Sequence, residues 1–142
     1  MSMNDEKTKV EELKKQVLQF RQRRKWTGED PKDIALSVVL EATELLEHFQ
    51  WKTGDEVRKE ARLYGPICDE LADVLWWVLV MAESLHIDLA HAFEMKMRKN
   101  EEKYPEKIFA SDASEAERWR HYYRIKAKYR GGHPLAEGEN DK

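Results

Sequence analysis

Two of the most apolar stretches of this sequence each carry a pair of carboxylates three residues apart. Glu41 and Glu44 follow Ser37-Val-Val-Leu40, and Glu70 and Asp73 precede Val74-Leu-Trp-Trp77. Residues three apart share one face of an α-helix. Each pair is therefore presented side by side, next to side chains that seek a core. If the two helices pack antiparallel, four carboxylates approach the same interior, where they repel one another and lose hydration. A hard divalent cation with oxygen ligands offsets both costs, and Mg²⁺ characteristically links carboxylates to phosphates. A single such pair, in a chain with 28 acidic residues, is an ordinary solvated helix face. Two pairs on the two most apolar helices are harder to dismiss, and periodicity leaves both readings open.

The rest of the chain also reads as helices. Gly and Pro are few and fall between periodic segments. A first helix is expected over about 5–25, with Val10, Leu13, Val17 and Phe20 as its apolar stripe. A second runs from Pro31, capped by Asp30, to about Gln50, with Ile34, Val38, Leu45 and Phe49 on one side. A short helix is expected near 55–62. A third long helix opens at Pro66 and reaches about Leu85, with Ile67, Leu71, Val74, Val78 and Leu85 as its stripe. Asp88 is expected to cap a fourth, ending near Tyr104-Pro105, and residues 111–129 form a last one. No alternating strand pattern and no internal repeat is visible. The expectation is an all-α bundle with a main domain over 1–110, a basic and aromatic helix over 111–130 and a loose polar tail over 131–142.

Composition narrows the class. The sequence has 142 residues, room for one cored domain, with 37% charged and 41% hydrophobic residues and a net charge of −3. The overall balance does not describe a polyanion binder. Cys68 is the single cysteine, which excludes an intramolecular disulfide and a cysteine-rich zinc site. The longest uncharged apolar run, Val74 to Ala82, falls far short of the roughly 20 residues of a membrane span. The first dozen residues are too polar for a secretory signal. A cytoplasmic protein without a membrane partner is expected.

Lys96, Asn100 and Lys103 recur at i, i+4 and i+7 behind the apolar start of the fourth helix. Lysine and amide donors on one stripe suit phosphate oxygens, although Lys near a helix C-terminus also simply meets the macrodipole. No Gly-rich phosphate loop is present. Glu83 and His86 imitate half of a di-iron motif, but no second Glu-x-x-His stands on another helix.

Three segments resemble one family. The run Pro31 to Lys52, PKDIALSVVLEATELLEHFQWK, resembles MazG-like pyrophosphohydrolases, and in particular their small dCTP-pyrophosphatase-like branch. Asp69 to Val74, DELADV, is similar to the second half of the family's E-x-x-E … E-x-x-D signature. Lys96-Met97-x-x-Asn100-x-x-Lys103-Tyr104-Pro105 resembles its C-terminal substrate motif. Together they cover about residues 20–109. The chain departs from relatives before Pro31, where an aromatic-x-x-aromatic-His stretch is common and this sequence reads Lys25-Trp26-Thr-Gly-Glu-Asp-Pro31.

The resemblance implies an Mg²⁺-dependent enzyme, with Mn²⁺ able to substitute. It would cut a (deoxy)nucleoside triphosphate, dCTP or a modified nucleotide among the candidates, to the monophosphate and pyrophosphate, as in cleansing of the nucleotide pool. It implies that Glu41, Glu44, Glu70 and Asp73 ligate the metal. Lys96, Asn100, Lys103 and Tyr104 would meet the phosphates or sugar. Trp51 and Trp77 would meet the base, with Trp26 as a replacement stacking residue. Glu47, one turn beyond Glu44, is expected to orient the attacking water, or else is an ordinary surface residue. Relatives assemble as homodimers or homotetramers with sites completed between subunits. Two other readings stand beside this one. One is a non-catalytic helical interaction module. The other is nucleic-acid binding through the cations and aromatics of the last helix, which a packed helix with a solvated basic face explains more simply.

Overall fold

The structure is a computed structural model that describes residues 3–109 and 113–130. Among these, seven α-helices and no strands occur: α1 (Val10–Arg23), α2 (Pro31–Glu47), α3 (Gly54–Ala61), α4 (Pro66–Ser84), α5 (Leu89–Lys103), α6 (Glu106–Phe109) and α7 (Glu115–Arg130). The expected all-α class is what the structure shows. The tail expected over 131–142 lies outside the described residues. The chain forms two compact units, Met1–Ala90 and His91–Lys142.

In the first unit, local chemistry sets the helix ends. Asp30 caps α2 by accepting a 2.8 Å hydrogen bond from the Lys32 N–H, and Pro31 fills a first-turn position where no donor is needed. Thr53 and Glu56 close a reciprocal capping box on α3. α1 ends differently from any signal in the sequence. Lys25 sits in the left-handed region at φ 58°, the Lys25 N–H reaches the Gln22 carbonyl, and the Trp26 N–H reaches the Arg21 carbonyl, each across 3.0 Å. This is a Schellman closure with lysine where glycine is usual. It folds Trp26 back onto Phe20, with ring centroids 6.1 Å apart. His86 does the same for α4, at φ 54°.

α2 and α4 share the most extensive helix contact, and α1 and α3 lie against α4. The core is Val17, Ile34, Leu79 and Val80, with Leu13, Trp76, Trp77, Met81 and Leu89 packed around it. Ile34 early in α2 thus meets Leu79 and Val80 late in α4, while His48 just past α2 comes within 3.9 Å of Glu70 early in α4. The two helices therefore run antiparallel. Burial on α4 departs from the expected stripe: Ile67, Leu79, Val80 and Ala82 are buried, whereas Leu71 and Leu85 are exposed. A helix apolar on nearly every side gives periodicity no basis for choosing. The opposite face of α2 leaves Leu36, Val39, Leu40 and Leu46 more than half exposed.

In the second unit, Tyr104 stacks on Tyr122 at 5.9 Å and meets Phe109 edge-on at 5.6 Å. Ser114 and Glu117 cap α7. Its outer side carries the stacked, exposed pair Trp119 and Tyr123. Among the described residues no single helix is long and apolar enough to cross a membrane.

Candidate metal centre and adjoining cavity

The antiparallel pairing of α2 and α4 brings the two carboxylate pairs together. Glu41, Glu44 and Glu70 each offer an oxygen, and these oxygens all lie within 4.8 Å of one another. It is the one such three-ligand group found among the described residues, so Glu83 and His86 gather no comparable set. Glu41 and Glu70 are half-buried and Glu44 is exposed. Asp73 stands one turn beyond Glu70 and is exposed.

The electrostatics carry the mark of this crowding. The Glu44 carboxyl is held above its ordinary range, chiefly by the charge of Glu41, then by desolvation, then by Glu70, Glu47 and Asp73. The other four nominated acids thus all act on the Glu44 carboxyl. His48 Nε2 lies 3.9 Å from Glu70 Oε1 and offers a partial counter-charge when protonated. The indole N–H of Trp77 donates to Glu41 Oε1 across 3.0 Å. Three converging carboxylates whose repulsion already shifts a proton equilibrium are a suitable donor set for a hard divalent cation. The cluster can hold one.

Beside the cluster is a cavity of about 490 Å³ lined by Phe20, Arg21, Trp26, Glu29, Asp73, Trp76 and Trp77. Asp73 links it to the carboxylates. Of the three tryptophans nominated for a base, the cavity takes Trp26 and Trp77. Trp51 is 88% exposed and lines none of the described cavities. A larger cleft of about 820 Å³ lies between the start of α1 and the end of α4, around Lys14, Glu83 and His86, and contains none of the nominated residues. Lys96, Asn100, Lys103 and Tyr104 belong to the second unit, where the Tyr104 ring is engaged with Phe109 and Tyr122.

Sequence reasoning passed over Arg21, Glu29 and Phe20 as parts of this site. Arg21 had a signal: it stands four residues after Val17, where the apolar stripe of α1 calls for another core residue. A charged residue in that register is a buried charge with a partner to find. Arg21 is 4% exposed, and Glu29 is that partner. Burial pushes the Glu29 carboxyl up, but its own backbone N–H and the Arg21 guanidinium together hold it below the ordinary range.

Comparison with known proteins agrees with this architecture. Residues 36–119 match the MazG-like family. The mouse protein dCTP pyrophosphatase 1 is 32% identical over 100 residues, covering 68% of this chain and 59% of that protein. The human protein of the same name is 31% identical over 108 residues, covering 73% and 64%. This chain thus aligns with less than two thirds of the length of either. A crystal structure of a pyrophosphatase from Archaeoglobus fulgidus superposes with a TM-score of 0.62 at 36% identity, covering 73% of this chain and 99% of that one. The matched region takes in both carboxylate pairs and more than half of the sequence: the chain belongs to the MazG-like family.

Proposed function

We propose that this protein is a Mg²⁺-dependent nucleoside triphosphate pyrophosphohydrolase, releasing pyrophosphate and the monophosphate, with dCTP the first candidate substrate. The observation that carries the reading is the convergence of Glu41, Glu44 and Glu70 beside an aromatic cavity that Asp73 joins to them. The names of the mammalian and archaeal relatives point the same way.

Glu41, Glu44, Glu70 and Asp73 would hold Mg²⁺, or Mn²⁺ in its place. A cation there supplies neutralisation of the triphosphate charge and activation of the attacking water. The chain's own contribution is binding and orientation. Trp26 and Trp77 offer ring faces on which a base stacks with little regard to its identity. Glu47, close enough to influence Glu44, would orient the attacking water toward the α-phosphorus. Lys96, Asn100, Lys103 and Tyr104 offer donors for phosphate and sugar oxygens by their side-chain chemistry. The exposed Leu36, Val39, Leu40 and Leu46 on one face of α2 support a homo-oligomer, since clustered exposed apolar side chains mark an interface.

The test is a panel of canonical and modified nucleoside triphosphates incubated with Mg²⁺, scored for pyrophosphate against orthophosphate. Pyrophosphate release that disappears in Glu41→Gln and Asp73→Asn, with helical circular dichroism unchanged, is the expected result. Orthophosphate as the sole product, or full turnover in either variant, defeats the proposal.

A further inference from the structure

Arg21 is the one buried charged residue among the described residues, and no step of the reading above uses it. A buried ion pair is an expensive way to fill a core, because the desolvation cost often exceeds the attraction regained. An unbranched apolar side chain of similar length would occupy the same space more cheaply. What a guanidinium adds is a plane, a fixed charge and directional donors.

Each of these is engaged. The Arg21 Nη2 donates to Glu29 Oε1. The guanidinium carbon lies over the Trp77 ring, 5.3 Å from its centroid. On the edge of the same indole, the N–H donates to Glu41 Oε1 across 3.0 Å. Glu41 is one of the three residues whose oxygens converge within 4.8 Å. A continuous series of contacts thus runs from Glu29 through Arg21 and Trp77 to the carboxylate cluster. A cation on the face of an indole fixes the ring plane and draws electron density from it, which strengthens donation by the ring N–H. A carboxylate with one oxygen held by such a donor has fewer orientations left for the other.

We propose that Arg21, anchored by Glu29, is a positioning residue for the metal site: it locks the Trp77 indole, and the indole N–H holds Glu41 in its ligating orientation. This rests on the reading of Glu41, Glu44 and Glu70 as a cation site. Arg21 lines the aromatic cavity, and on the carboxylate cluster it acts only through Trp77.

The experiment is calorimetric titration of the full chain with Mn²⁺ alone, with no nucleotide present. Wild-type binding that Glu41→Gln removes is the necessary baseline, and a wild type that binds no Mn²⁺ overturns the cation site and this inference together. Given that baseline, Trp77→Phe keeps a ring but loses the N–H, and the Mn²⁺ dissociation constant is expected to rise about 10-fold, the scale on which groups behind metal ligands act. Arg21→Met is expected to raise it comparably, and the double variant to be no weaker than the weaker single, because both changes break one series of contacts. Glu29→Gln leaves the guanidinium in the chain and is expected to shift the constant in the same direction, so the inference stays testable if Arg21→Met does not fold. Lowered thermal midpoints in Arg21→Met and Glu29→Gln with Mn²⁺ affinity within about two-fold of wild type would mark a purely structural ion pair and overturn the positioning role. Multiplicative effects in the double variant would overturn it as well, since Arg21 and Trp77 would then act independently.

Discussion

Glu41 raises the proton affinity of Glu44, one helical turn further along α2, more than any other influence on that carboxyl. The folded protein therefore binds a proton at Glu44 more readily than the unfolded chain does. Well below the ordinary carboxylate range the group is protonated in both states and imposes no penalty. As pH rises through the raised folded value, the proton is lost into a field of negative charge and stability falls. Above that raised value the metal-free protein carries this penalty. Glu44→Gln is accordingly expected to raise the thermal midpoint of chelator-treated protein at pH 7, and to lose that advantage near pH 4. Millimolar Mg²⁺ should raise the midpoint of wild type more than that of the variant. A Glu44→Gln midpoint equal to or below wild type at pH 7 would show that the carboxylates do not strain the apo fold. Removing a functional charge and gaining stability is the usual trade at a binding site.

The α2 and α4 pair holds the carboxylates together through apolar contacts, not through the carboxylates themselves. Ile34 and Leu79 are each 2% exposed and meet in the central cluster. Leu79→Ala removes buried methyl groups in a core with few fully buried members. The expected cost is about 3 kcal/mol, transfer and cavity contributions combined. Urea titration followed by circular dichroism measures it. A loss under about 1 kcal/mol would mean that the site collapses around the smaller side chain.

Trp26 owes its place to the backbone. The left-handed Lys25 turns the chain so that the indole comes back over Phe20 and forms a wall of the cavity beside Asp73. On the proposed function, Trp26→Ala is expected to raise KM for the preferred triphosphate about 10-fold, the worth of one stacked base, and to leave kcat nearly unchanged. Steady-state kinetics across the nucleotide panel decide it. An unchanged KM would place the base elsewhere.

How much of this was legible in the sequence depends on where the determining chemistry lies. The start of α2 was readable because Asp30 and Pro31 are adjacent and each has one job at a helix entrance. The carboxylate convergence was readable as a possibility because two i, i+3 pairs sat on apolar helices. It became a geometry only through the antiparallel packing of α2 on α4, a tertiary fact that periodicity does not encode. The end of α1 was misjudged by two residues and its beginning by five. Residues 5–9 are polar with nothing to bury, and the closing turn uses Lys25 in a conformation usually signalled by glycine. Arg21 was passed over for a related reason: its register four residues after Val17 marks a core position, but its charge masks that place in the apolar stripe of α1. The four-residue α6 is too short for any periodicity to announce.

The outward face of α2 offers the last test. Leu36, Val39, Leu40 and Leu46 are 54%, 62%, 61% and 63% exposed, and all lie along one side of the helix, away from Ile34. A lone exposed leucine is unremarkable, but four large apolar side chains on one face over three turns are surface of the kind that interfaces cover. The same helix presents Glu41 and Glu44 to the cluster, so a partner seated on its outer side would brace the carboxylates from behind. Wild type is expected to sediment as a dimer or larger at tens of micromolar. The double substitution Val39→Lys with Leu46→Glu places charges where the partner packs and is expected to shift the species to monomer. Analytical ultracentrifugation distinguishes the two, with circular dichroism to verify that the helices persist. A wild type that sediments as a monomer at that concentration would show that α2 keeps its apolar side in water, and the proposed homo-oligomer would fall.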